Sequence, residues 1–424
     1  MVLTTERPVN IVPFSGTKES SMIVRRMLVL SALFALAVPL APSPSRAQGT
    51  AGALKIGLID TISGAYAQVG TDTQHGAQLA IDEINAAGGV GGRRLELVVK
   101  DEQLNPTATV QALRELQSAG VTITMGYASS ADCLAALPVA AQNDMLVMGS
   151  NCIATALTTT KFDKHFFRVA PSDTMLTSAA AQFAHEHFPA IGTWDAYAPD
   201  YVTGHDDWTF FSEKLRRLSP GVQTGKAVFV PLAAQDVRSY VTALSSDLPA
   251  DSAKSHGLYL ATFGGATAAV VKQGKPENLF GKFAATINVG GSEPTAAQLG
   301  ADFPDAWFVY DYYHRAYATA MNRRFVAAYQ KAYRDAPNSW SYEGYATIYA
   351  LRSAIDRAKS VGVDQIIAAL EQAPISTPKG VLHYRSDHEL AQPVTVFECK
   401  GDASAPKQYT CPHWAAIPAD KVAK

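Results

Sequence analysis

Apolar positions change their period along this chain in a regular way. Residues 54–60, LKIGLID, make an apolar run of strand length that leads into a Gly/Ser turn, ISGAYAQVG. Beyond it Ala77, Ala80, Ile81, Ile84 and Ala87 recur at steps of three and four, the stripe of an amphipathic helix over 71–87. Gly88 and Gly89 end it. The pattern then repeats. LELVVK (95–100) reads as a strand, followed by a helix that Asn105 caps, Pro106 opens and Gly120 ends, with Val110, Leu113 and Leu116 as its stripe. VTITM (121–125) is a third strand and leads through GYASSADC to a helix near 131–143, and MLVMG (145–149) is a fourth. Strands alternating with helices of this length predict a parallel sheet covered on both faces.

FFRVAPSD (166–173) breaks the rhythm and reads as a crossing segment. Strands at 191–197, 226–230, 256–262 and 283–289, with helices over 203–218 and from Asp236 to Leu244, then build a second sheet domain. WFVYDYY (307–313) is aromatic and β-prone, and three helical stretches follow at 315–334, 340–359 and 363–371. Those helices have no local strands to cover, so the chain is expected to return to the first domain. The tail over 381–400 alternates in places and reads as a small β extension. The fold class is α/β, with two parallel-sheet lobes. No repeat of 20–50 residues is present.

Length agrees, since 424 residues suit two domains better than one. Hydrophobic residues are 47% and charged residues 17%, enough for a sizeable core, and the net charge of −2 gives no reason to expect nucleic acid. The N-terminus reads as a targeting segment. Arg25 and Arg26 precede MLVLSALFALAV (27–38), and Ser45 and Ala47 sit in an A-x-A-like arrangement. That run of 12 is short of the roughly 20 apolar residues that span a bilayer. We expect a signal over 1–47 that is cleaved after about Ala47, with Met22 as an alternative start. No Cys lies near the cut to carry a lipid. Cys133, Cys152, Cys399 and Cys411 suit an oxidising compartment. Sequence neighbours are the natural pairs, although four Cys allow three connectivities, and zinc and free buried thiols are the other readings.

The succession LKIGLIDTISGAYAQVGTDTQHGAQLAIDEINAAGGVGGRRLELVVKDEQLNP, then GVTITMGYASS, MLVMGS and SYEGYATIYALRSAI, resembles the branched-chain amino acid (Leu/Ile/Val-binding) class of periplasmic solute-binding proteins. The pieces follow the family order over nearly the whole chain after the signal, and the first is the most specific. The resemblance implies a type I periplasmic binding clamshell: two Rossmann-like lobes joined by three crossings, near 170–173, 306–312 and 376–381. The expected lobes are 53–169 plus 310–378, and 171–308 plus 380–424. It also implies a ligand trapped between the lobes, an ABC transporter permease as partner, a monomer, no cofactor, no metal and a periplasmic location.

Ligands of open α/β sheets bind beyond the carboxyl ends of the strands. Ser129 and Ser130 stand there, at a helix start whose free N–H groups suit a carboxylate, and either serine also serves as a plain N-cap. The family's carboxylate-binding Ser falls at this point. Ser150 and Asn151 follow the strand at 145–149 in the same way. The family's Thr in that loop is replaced by Ile153, and NVGGSEP holds Glu293 away from the place where the family has an ammonium-binding acid. Both departures point away from a plain α-amino acid. Tyr66, Tyr127, Tyr201 and Phe263 are the aromatic candidates, the last two at positions where the resemblance places ligand-facing rings. Tyr310, Tyr312 and Tyr313 are assigned to hinge and interlobe packing; His205, Asp206 and Asp207, one turn after Tyr201, either touch a polar ligand or solvate a helix start, and the second reading is favoured. No G-x-S-x-G, H-E-x-x-H or Walker A sequence is present, so no enzyme is expected. A sensor module that presents solute to a membrane receptor is the alternative, and a secreted α/β hydrolase is the more distant one.

Overall fold

The computed structural model describes residues 52–232 and 234–422; the signal expected over 1–47 lies outside them. The chain opens with a five-stranded parallel sheet: β1 (Leu54–Asp60), β2 (Leu95–Asp101), β3 (Ile123–Gly126), β4 (Leu146–Gly149) and β5 (Phe166–Arg168), in the order β2-β1-β3-β4-β5. Every β1 residue but Lys55 is buried, as a strand covered on both faces requires. Between the strands run α1 (Ala67–Ala86), α2 (Pro106–Ser118) and α3 (Ser130–Gln142). The Asn105 side chain caps α2 as expected, accepting from the Thr107 and Ala108 N–H groups.

After β5 the chain enters α4 (Asp173–His187), which the sequence reading passed over. Ten of its residues, from Asp173 to Ala184, are buried, so no polar face marks a helical period. Then follow β6 (Thr193–Pro199), α5 (Val202–Leu218), β7 (Gln223–Val230), α6 (Arg238–Ser245), α7 (Ser252–Ser255), β8 (His256–Leu260), α8 (Gly264–Gly274), β9 (Ala285–Val289), α9 (Glu293–Leu299) and β10 (Ala306–Tyr310). The second sheet is ordered β7-β6-β8-β9-β10, the order of the first. In both, strand order reverses beside the first strand, between β1 and β3 and between β6 and β8. Such switch points open crevices at the carboxyl ends of strands.

The chain returns through α10 (Ala320–Tyr333), α11 (Ser339–Ala358) and α12 (Val363–Gln372). Phe325, Tyr345, Ile348 and Ile366 from these helices share one core with Ile56 and Ile81, so the orphan helices do cover the first sheet. The tail forms β11 (Ile375–Thr377), β12 (Gly380–Tyr384), β13 (Leu390–Ala391), β14 (Val394–Gly401), β15 (Tyr409–Thr410), β16 (Trp414–Ile417) and α13 (Ala419–Val422). It is two things rather than one extension. Strands β11 to β13 make a small sheet whose Leu382, Tyr384 and Leu390 pack into the first lobe's core, whereas β14 pairs antiparallel with β10 in the second sheet. The third crossing therefore lies between Ala391 and Val394, and residues 380–391 sit with the first lobe instead of the second. The buried Arg168–Glu389 pair (2.9 Å) fastens them there, a charge partnership invisible to hydrophobic patterning.

One buried cation knots the crossings. The Lys379 ammonium bonds Asp311 of the second crossing, and Gln392 Oε1 (2.9 Å) and the Pro393 carbonyl (3.2 Å) of the third. Gln392 in turn donates to the Val169 carbonyl of the first. Cysteines pair Cys133–Cys152 and Cys399–Cys411.

Candidate functional site

The two switch points face each other. Between them lies a narrow cavity lined by residues of both lobes. From the first lobe come Val69, Ala128, Ser129, Asn151, Ile153 and Trp340. From the second come Tyr201, Thr203, Asp207, Phe263 and Val289, with Tyr310 at the end of β10. Apolar and aromatic surface dominates, with a few polar groups set into it, the usual make-up of a small-molecule pocket.

Local backbone chemistry positions the first wall. Gly126 (φ 99°) and Tyr127 (φ 69°) turn the chain sharply after β3. The left-handed Tyr127 swings its ring back into the core, where its hydroxyl bonds Thr124 (2.7 Å). Tyr127 is therefore a core residue behind the cavity. The turn leaves Ser129 at the N-cap of α3, accepting from the Asp132 N–H and donating to the Asp132 carboxylate (2.6 Å). Behind it lie Asp60, Glu102 and Asp132, whose pKa values burial raises, that of Asp60 to about 7. Ser130 does not reach the cavity; its hydroxyl accepts from the Ala154 N–H (3.0 Å) and is spent on joining two loops. Ser150 is buried beside the cavity with an unpartnered hydroxyl, while Asn151 lines it. Asn151 Oδ1 accepts from the Tyr310 hydroxyl (3.2 Å), a bond across the lobes, and its Nδ2 has no partner.

The Cys133–Cys152 bridge ties α3 to this second loop, so both polar walls of the first lobe hang on one covalent link. Replacing both cysteines by alanine is expected to lower stability by about 3 kcal/mol, the loop-closure effect for a separation of 19 residues. Equilibrium denaturation checks this; an unchanged midpoint would refute it.

On the second lobe Tyr201 and Phe263 are the N-cap residues of α5 and α8, and neither offers a side-chain cap. Their helices thus start with backbone N–H groups that no N-cap side chain satisfies. Burial pushes the Tyr201 hydroxyl pKa upward. Tyr66 stands at the interlobe seam, its hydroxyl donating to the Leu232 carbonyl (2.9 Å) and its ring 5.2 Å from that of Phe263. It links the lobes rather than lining the cavity. Of the eight residues expected from sequence, Ser129, Asn151, Tyr201 and Phe263 converge on one cavity.

Sequence reasoning missed Trp340 and Thr203, assigned Tyr310 to hinge and interlobe packing, and favoured a solvated helix start for Asp207 over contact with a polar ligand. Asp207 is 3% exposed, so it is no solvated helix start, although His205 is exposed as expected. The legible signal was spacing: Thr203 and Asp207 stand one turn apart on α5, on the face that follows Tyr201. The side-chain oxygens Thr203 Oγ1 and Asp207 Oδ1 have no partner. Burial holds the Asp207 pKa well above the carboxylate range, and Asp173 and Asp206 add to the effect. After β9 the cavity wall is Gly290 (φ 85°), and Glu293 is turned away to accept from the Tyr409 hydroxyl (3.0 Å).

A family model described as periplasmic binding protein matches residues 53–405. The chain belongs to that family. Among relatives of this periplasmic binding protein is the leucine-, isoleucine-, valine-, threonine- and alanine-binding protein of Pseudomonas aeruginosa, 26% identical over 88% of this chain and 97% of its own. Solved structures share the type I fold. One is a solute-binding protein of an ABC transporter from Rhodopseudomonas palustris in complex with 3,4-dihydroxybenzoic acid (TM-score 0.76, 20% identity, 87% of this chain and 98% of that one). Another is a leucine-binding protein from Thermotoga maritima (TM-score 0.74, 22% identity, 87% and 99%). Among the described residues no helix is long and apolar enough to cross a membrane.

Proposed function

We propose that this periplasmic binding protein captures a small organic carboxylate, an amino acid or an aromatic acid, between its lobes outside the cytoplasm and delivers it to an ABC import permease without chemical change. The observation that carries the reading is the cavity itself. Asn151 Nδ2, Thr203 Oγ1 and Asp207 Oδ1 are buried without partners and belong to residues from both lobes that line one aromatic-walled space. Buried polar atoms are ordinarily bonded, so a cluster of orphans in a pocket marks the place of a ligand. The free N–H groups in the first turn of α3 favour a carboxylate. Ligand contacts both lobes only in the closed form and so shifts the population toward it. The names of the relatives, which include binders of aliphatic amino acids and of a dihydroxybenzoate, bracket the same class.

The test is a thermal-shift screen on protein freed of ligand by unfolding and refolding, with amino acids and benzoate-type acids as the panel. A bound compound raises the midpoint by mass action. A panel with no shift at all would refute the reading. Tyr201→Ala is expected to weaken the best compound by about 1–2 kcal/mol, roughly tenfold in Kd, through lost ring contact. Unchanged affinity in calorimetry would remove Tyr201 from the site.

A further inference from the structure

Asp207 is the odd member of the cavity. A buried carboxyl without a partner is unfavourable, and an apolar pocket gains nothing from one unless a ligand completes it. No ion pair joins Asp207 to a cation among the described residues, and the charges that bear on it are those of Asp173 and Asp206. It lies on the second-lobe wall, one helical turn from the equally unpartnered Thr203 hydroxyl, whereas the α3 N-terminus, which the proposed function gives to the carboxylate, belongs to the first lobe. Trp340 and Phe263 line the same space.

We propose that Asp207 determines specificity by accepting a hydrogen bond from a donor group at the ligand's end remote from its carboxylate, a hydroxyl or an amine, with Thr203 as its neighbour in the contact. The proposal rests on the cavity being the ligand site. The ligand is then bipolar, with its carboxylate on one lobe and its donor on the other. Such a molecule ties both lobes at once, so the group that sets specificity also stabilises closure. A site built to bond a ligand's O–H or N–H discriminates strongly against the analogue that lacks it, because its own polar atoms are then left orphaned.

Two ligand pairs test this by calorimetry: 4-hydroxybenzoate against benzoate for the hydroxyl, and 4-(aminomethyl)benzoate against 4-ethylbenzoate for the amine. For the native protein, the donor-bearing member of at least one pair is expected to bind at least about tenfold tighter, a conservative share of such discrimination. Asp207→Ala should shrink that ratio to near unity while benzoate still binds. Asp207→Asn should keep part of a hydroxyl preference, since its amide oxygen still accepts, and lose an ammonium preference. The ligand-free Asp207→Asn protein should also melt no lower than the native one, because an orphaned buried carboxyl has been removed.

A preserved ratio in Asp207→Ala would overturn the proposal, as would a native protein with no preference within either pair. A lower midpoint for Asp207→Asn would make Asp207 a structural group and overturn it too. If none of the four acids binds, the proposal falls. Binding of other small carboxylates in the thermal screen would then leave the cavity reading standing, whereas silence there would remove both.

Discussion

Gly344→Ala is expected to destabilise the protein by about 2–3 kcal/mol, the upper range for forcing a methyl group into packed surroundings. Helices α1 and α11 cross where each carries a glycine. A Cβ on Gly344 would stand 2.1 Å from the Thr73 carbonyl oxygen, and one on Gly76 would stand 1.8 Å from that of Ser341. Both obstacles are backbone atoms inside helices, so no side chain can turn aside. The roughly 1 kcal/mol of helix propensity that alanine gains over glycine does not offset that clash. Relief comes only by separating the helices, which loosens the core formed by Ile81, Ile84, Tyr345 and Ile348. The same shift reaches the cavity between the lobes, because α1 contributes Val69 and α11 contributes Trp340. Denaturation and ligand titration should therefore report a loss together. Gly76→Ala should behave alike, and the double variant should lose less than the sum, since one separation relieves both clashes. A Gly344→Ala protein with native midpoint and affinity would refute this account of the crossing.

Some of this architecture was legible because one face of an element was dry and the other wet. The stripe from Ala77 to Ile84 located α1, although the helix starts at Ala67, four residues earlier than expected, where the Gly/Ser turn concealed a short 3-10 turn over Gly64–Tyr66. Where burial surrounds an element the signal vanishes, as in α4. Where a charge pair adds to apolar packing it is incomplete: Leu382, Tyr384 and Leu390 and the buried Arg168–Glu389 pair together hold residues 380–391 on the first lobe, and no periodicity records which core they join.

The site divides along similar lines. Strand ends could be located, and with them Ser129, Asn151, Tyr201 and Phe263. What a side chain does after a strand end depends on one or two backbone angles. The left-handed turn at Tyr127 sends that ring inward, and the hydrogen bond to Ala154 holds Ser130 away. Asp207 was misread for a different reason. A carboxylate near a helix start is ordinarily solvated and favoured by the helix dipole. Packing within the cavity wall makes the same residue buried, which no pattern along α5 records.

Lys379→Met should have the largest effect, about 3–5 kcal/mol of lost stability, the range for removing one partner of a buried ion pair. The Lys379 and Asp311 side chains are wholly inaccessible. Burial raises the Asp311 pKa to about 6 even with the ammonium beside it to favour the charged form, and burial also holds Glu343, packed nearby, well above the carboxylate range. Without the cation Asp311 is left as an uncompensated buried charge or must take up a proton. The sign of the pH dependence follows. The carboxyl pKa is higher in the folded variant than in the unfolded chain, so its penalty is small near pH 4 and grows as pH rises toward neutrality. The deficit of Lys379→Met relative to the native protein should therefore widen between about pH 5 and 8. Lys379→Met with Asp311→Asn should recover much of the loss and flatten that dependence, because neither charge remains. Equal midpoints for the single variant and the native protein across that range would refute the role assigned to the pair. Function is tied to the same knot. Lys379, Asp311, Gln392 and Val169 join all three crossings, and under the proposed function these are the segments about which the lobes rotate to admit a ligand. A chain with that knot loosened should reach its open form more readily. It should then release ligand faster, with the cavity residues themselves untouched.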